Sequence, residues 1–98
     1  MTGTELVARR IVVRGKVQGV FYRNWTVRTA NSLRLKGWVR NTSSGDVEIL
    51  AIGALEDVDD LERQCWEGPF GSKATEVVSE KTKLEPLSSF ERRPTVKG

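Results

Sequence analysis

Two glycines four residues apart, with an arginine four residues after the second, form the first group in this chain whose spacing points to chemistry. They lie in Gly15-Lys16-Val17-Gln18-Gly19-Val20-Phe21-Tyr22-Arg23. Glycine frees the backbone, and successive N–H groups can then converge on an anion. If a helix opens at the end of this run, its first amides lack partners and its dipole adds partial positive charge at the same place. Arg23 would add a full charge and a planar fork of donors that matches phosphate oxygens. Gln18 and Lys16 could assist from the loop. On spacing alone, a connecting loop is the simpler account, with Arg23 and Lys16 as solvated surface charges.

Asn41 is the second candidate. It precedes Thr42-Ser43-Ser44-Gly45, a turn by composition. Its amide could serve that turn, or it could hold a water beside a bound phosphate without supplying charge.

Composition narrows the chemistry. The chain has 98 residues, one Cys and no His. One Cys forms no internal disulfide or Cys-rich metal site. The missing His removes the usual general base near neutral pH and the commonest metal ligand. Arg, Lys, carboxylates, amides, hydroxyls or the substrate itself must do the work. The net charge of +3 favours anionic partners without identifying them. No apolar run is long enough to span a membrane, and residues 1–8 are too short and polar for a signal peptide. A cytoplasmic protein is the default expectation.

Periodicity supplies the elements that must position these residues. Arg9–Arg14 reads as a strand and Gly15–Phe21 as a loop. Tyr22–Leu33 reads as a helix with Tyr22, Thr26, Thr29, Ala30 and Leu33 on one face. Gly37–Asn41 and Asp46–Ile52 read as a hairpin. Ala54–Glu67 reads as a second helix, its face carried by Leu55, Val58, Leu61 and Cys65; Cys65 reads as a small core residue there. Thr75–Lys81 and a short Phe90–Arg93 complete the strands. The fold class is α+β: a ferredoxin-like split βαβ sandwich (βαββαβ). It has one mainly antiparallel sheet, two helices on one face and a short extra C-terminal strand. Residues 1–98 form one domain, with 1–6 and 95–98 expected to be loosely ordered.

This topology has a geometric consequence. A crossover helix makes the first two strands parallel, so their C-terminal ends share one sheet edge. The Gly15–Phe21 loop, the start of the first helix and Asn41 then meet. Trp38 and Arg40 alternate with Val39 and Asn41 and face the other side of the sheet. That face could stack bases, which keeps an RNA-binding reading open, although Ile11, Val13, Ile49 and Leu50 are aliphatic where such a reading wants aromatics.

The run Gly15–Arg23 resembles the first signature of the acylphosphatase family. Gly37-Trp38-Val39-Arg40-Asn41, followed by Gly45, Val47 and Gly53, resembles the second, in the same order and with the same separation. The resemblance extends from Val7 to Gly71, and more loosely to Phe90. It implies metal-independent, cofactor-free hydrolysis of the carboxyl-phosphate bond of small acyl phosphates. Arg23 would bind the phosphate and Asn41 would position the attacking water. The backbone N–H groups of Gln18, Gly19, Val20, Phe21 and Tyr22 would complete the cradle. The expected unit is a monomer, with inorganic phosphate as product and competitive inhibitor, and no nucleic-acid or membrane partner. A non-catalytic module that binds acyl or carbamoyl phosphate is the alternative; an end at Gly98 with nothing attached favours a free-standing enzyme. The chain departs from the family at Tyr22, where Phe or Met is usual, so the added hydroxyl needs a hydrogen-bond partner.

Overall fold

The computed structural model describes residues 5–95. Strand β1 spans Leu6–Lys16, helix α1 Tyr22–Ser32, β2 Lys36–Asn41 and β3 Val47–Ala54. Helix α2 spans Leu55–Cys65, β4 Lys73–Lys81 and β5 Phe90–Arg92. The five strands form one sheet in the order β4-β1-β3-β2-β5. Neighbours pair antiparallel except β2 with β5. Both β1 and β2 are antiparallel to β3, so they run parallel to each other, as the crossover requires. Of the residues expected to be loosely ordered, 1–4 and 96–98 lie outside the described residues, and Leu6 already belongs to β1.

The first strand continues past Arg14 to Lys16, and Gly15 is the reason. The β1–β4 register shifts between Arg14 and Gly15, and pairing then resumes with Gly15 opposite Ala74 and Lys16 opposite Lys73. Gly15 has φ +121°, and a Cβ there would sit 2.2 Å from the Lys73 carbonyl oxygen. A bulge with so close a backbone approach calls for glycine. The expectation that Gly15 and Lys16 belong to the loop is therefore corrected: they are strand, and the loop shrinks to Val17–Phe21.

Two cores form, one on each face of the sheet. Tyr22 and Ala30 of α1 and Val58, Leu61 and Cys65 of α2 pack with Ile11, Val13, Val39 and Ile49 of the strands. Leu55 leaves its expected face and is 44% exposed, because it opens α2 directly after β3. On the other face Ala8, Trp38, Leu50 and Ile52 cluster under Leu87. Strands β4 and β5 occupy opposite sheet edges, so residues 82–89 must cross this face. Thr82 donates to the Ala8 carbonyl at one end of the crossing and Gly37 donates to Ser89 at the other. Trp38 is consequently only 8% exposed, with the guanidinium of Arg40 4.3 Å and that of Arg93 5.2 Å from its ring centre. The expectation of an open stacking face is corrected. Base stacking would require the crossing segment to leave.

Gly37 is a second position where backbone proximity selects glycine. Its φ is +136°, and a Cβ would fall 1.8 Å from the Leu50 carbonyl oxygen, inside the β2–β3 ladder. Gly37→Ala is expected to cost roughly 2–4 kcal/mol through strain at a position with no room to relax. Urea unfolding checks this, and a midpoint equal to that of the parent chain would show the ladder to be more compliant than its geometry.

Candidate active site

The site grows from the ends of β1 and β2. Val17 is fully buried and donates to the Gly15 carbonyl at 3.1 Å, which anchors the loop as it leaves β1. Gln18 then spans the gap between the two strand ends. Its side-chain amide donates to the Thr42 carbonyl at 2.9 Å and to the Asp46 carbonyl at 2.8 Å, both in the β2–β3 turn. Its side-chain donors are thus committed to the turn rather than turned toward a ligand. Lys16 is exposed on β1 and does not border the cavity.

Beyond Gln18 the backbone turns back on itself. Gly19 has φ +73° and Phe21 has φ +61°. Left-handed geometry is unusual for a bulky residue and is a feature of ligand clamps and active sites. Phe21 is the residue that caps α1, and no side chain caps the helix or adds an acid to its first turn. The backbone N–H groups of Gln18, Gly19, Val20 and Phe21 have no protein acceptor among the described residues. A loop of unpartnered donors leading into an uncapped helix is an anion-binding arrangement.

Beside this loop lies an open cavity of ≈ 250 Å³ bordered by Gly19, Phe21, Tyr22, Arg23 and Asn41. Gln18 and Val20, placed in the cradle by the family resemblance, are not among the residues lining the cavity. Asn24 and Arg92 also line it, and the sequence reading missed both. Asn24 is one residue past the motif, and Arg92 arrives from the distant β5.

Arg23 is half-buried, and its Nη1 donates to the Arg93 carbonyl at 3.3 Å. That single contact orients the guanidinium and leaves its other donors available. Asn41 ends β2 opposite Val47. Its side-chain amide has no protein partner among the described residues, so it is not consumed by the turn. Arg92 donates to the Asn24 side-chain oxygen at 3.0 Å. Among the described residues, no group of three His, Cys, Asp or Glu side chains could hold a metal ion.

Tyr22 holds the site against the rest of the fold. Its ring is 1% exposed and its hydroxyl donates to the Cys65 carbonyl at 2.6 Å. The added hydroxyl therefore has its partner, at the last residue of α2. Tyr22→Phe removes the donor and leaves that carbonyl unmatched, so a loss of about 1 kcal/mol in stability is expected on urea unfolding. Burial pushes the Tyr22 phenol above its ordinary range and the Cys65 thiol up to about 12 from 9.0. Both groups stay protonated in the fold and ionise earlier when unfolded. Their contribution is complete below pH ~9 and is lost as pH rises toward ~12, at about 1.4 kcal/mol per pH unit per group. Urea titrations above pH 9 should show this decline, and it should be shallower in Cys65→Ala.

The comparisons with known proteins give the family and the fold. The family model described as Acylphosphatase matches residues 9–92. A protein of Rhizorhabdus wittichii named acylphosphatase is 42% identical over 90 residues, which is 92% of this chain and 91% of that protein. The solved structure of an acylphosphatase from Coxiella burnetii superposes with a TM-score of 0.89 at 38% identity, covering 95% of this chain and 100% of that one. Full-length HypF, solved in a phosphate- and nucleotide-bound form, gives a TM-score of 0.90 at 28% identity, with 98% of this chain matching 13% of that one.

Proposed function

The chain belongs to the acylphosphatase family, as a hydrolase of acyl phosphates, and on that premise we propose that Arg23 and Asn41 divide the reaction between them. The phosphoryl group sits in the cavity against the loop amides and Arg23. Asn41 holds the attacking water by its amide. The observation that carries this reading is the meeting of three things at one cavity: Arg23, an uncommitted Asn41 amide, and a loop whose N–H groups lack acceptors.

The chemistry asks for little more. The water oxygen forms a bond to phosphorus as the phosphorus–oxygen bond to the acyl group breaks. A carboxylate leaves with the bonding pair and needs no protonation. Phosphoryl transfer depends chiefly on positioning and on stabilising spread-out negative charge, which fixed amides and a guanidinium provide without reorganising. The water's proton must go somewhere, and no carboxylate or imidazole lines the cavity. A phosphoryl oxygen of the substrate is the acceptor that is always present. The pH–rate profile should therefore follow ionisation of the substrate rather than of an enzyme carboxylate. Metal independence is part of the proposal and rests on the same lining.

The test is hydrolysis of benzoyl phosphate in the presence of EDTA by the parent chain and by Arg23→Ala. Unchanged turnover with EDTA and loss of activity in the variant are expected; abolition by EDTA would assign the electrophile to a metal. The match to a small part of HypF favours one second reading, a module that binds an acyl or carbamoyl phosphate without cleaving it. Phosphate binding without hydrolysis would establish that reading instead. Inorganic phosphate should inhibit competitively as the product. A monomer in the cytoplasm is the proposed working form; among the described residues no helix is long and apolar enough to cross a membrane.

A further inference from the structure

The phosphate cavity has a neighbour. A groove of ≈ 540 Å³ is lined by Phe21, Asn24, Val27, Arg28 and Arg92. Phe21, Asn24 and Arg92 also line the cavity, so the two spaces adjoin at these three residues. We propose that this groove is the acyl subsite, and that it selects acyl phosphates whose acyl group carries a second anionic group.

Charge makes the argument. Arg9, Arg10, Arg14, Arg40, Arg63 and Arg93 each have a carboxylate partner. Arg28 and Arg92 have none among the described residues; Arg92 donates only to the neutral Asn24 amide. No carboxylate lines the groove, and α1 contains no acidic residue. Two guanidinium groups therefore face a concave surface without compensation, beside the charge of Arg23. Such a surface attracts anions, and guanidinium forks pair with carboxylates or phosphates by two parallel hydrogen bonds.

Shape supplies the rest. The Phe21 ring is 76% exposed, held outward by the left-handed backbone at its own residue. Val27 is half-buried on the same groove. A ring and a branched aliphatic side chain provide apolar walls for the carbon skeleton of an acyl group. Because Arg92 bonds the Asn24 oxygen, the Asn24 NH₂ is left as a donor at the junction of the two spaces.

The subsite rests on the reading of the cavity as the phosphate site, and its test separates the two. Benzoyl phosphate and 4-carboxybenzoyl phosphate share a ring and a leaving group and differ by one remote carboxylate. At low ionic strength kcat/KM is expected to favour the carboxylated substrate by about 3–10-fold, the range for one or two exposed ion pairs. The difference should lie in KM, because a remote charge contributes alike to ground and transition states. It should shrink as salt is raised. Arg28→Glu should reverse the preference and Arg28→Lys should keep most of it. Arg28 is exposed and outside the core, so circular dichroism should show both variants folded. Equal kcat/KM for the two substrates in the parent chain, or a preference untouched by Arg28→Glu, would overturn the subsite and leave the phosphate reading standing. Failure to hydrolyse either substrate would overturn the phosphate reading, and the subsite with it.

Discussion

Arg23→Ala is expected to lower kcat/KM for benzoyl phosphate by at least ~10²–10³, or about 3–4 kcal/mol of transition-state stabilisation, the usual effect of deleting one preorganised group that meets developing charge. No neighbour is placed to substitute. Arg92 is tied to Asn24, and Lys16 does not line the cavity. Arg23→Lys should fail nearly as badly. A lysine ammonium is a compact, strongly hydrated charge, and it cannot donate to the Arg93 carbonyl while presenting a planar fork to a phosphoryl group. The fold should hardly notice, because the side chain is half-buried and makes one long hydrogen bond. Thermal unfolding within a few degrees of the parent, alongside the kinetic collapse, is the expected pair of results. Recovery of activity by Lys to within a few-fold would show that charge alone suffices.

Asn41→Ala is the second large effect, of a different kind. The amide is neutral and is proposed to hold water rather than phosphate. Turnover should fall by ~10²–10³, as for loss of another neutral positioning donor, while competitive inhibition by inorganic phosphate stays within about two-fold of the parent, since the interaction lost is made only with the water. Measuring kcat and the phosphate inhibition constant on one preparation decides the matter. If inhibition weakened as much as turnover, Asn41 would be a phosphate ligand. The side chain ends β2 without a protein partner, so its removal leaves no buried group unmatched and stability should change little.

Much of this was legible along the chain, for reasons that can be named. The strand and helix order followed from period-2 and helical spacing. That order alone placed the Gly15–Phe21 loop and Asn41 at one sheet edge, because two strands joined through a helix must run parallel. Three features were not legible. Arg92 reaches the cavity only because a three-residue strand pairs parallel with β2, and so short a segment carries no periodicity. The cover over Trp38 comes from residues 82–89, a stretch of charges and turn formers with one inward-facing Leu87; its path is dictated by β4 and β5 lying at opposite edges. Gly15 signalled freedom, correctly, but the freedom serves a bulge against Lys73 rather than a nest for an anion.

The placing of β3 between β1 and β2 bears on how fast the protein can work. The roots of the loop and of Asn41 are separated by two strand spacings, roughly 10 Å, and every step between them is a hydrogen-bonded ladder. Gln18 clamps the loop to the turn across the same gap. No hinge lies between the loop proposed to bind phosphate and the amide proposed to hold water, so the two cannot open and close against each other. In enzymes with moving lids, release often sets the pace. Here the clock should be the bond-breaking step or simple diffusion through an open mouth. Added sucrose, at matched substrate ionisation, should slow kcat/KM only where encounter is limiting and leave kcat untouched.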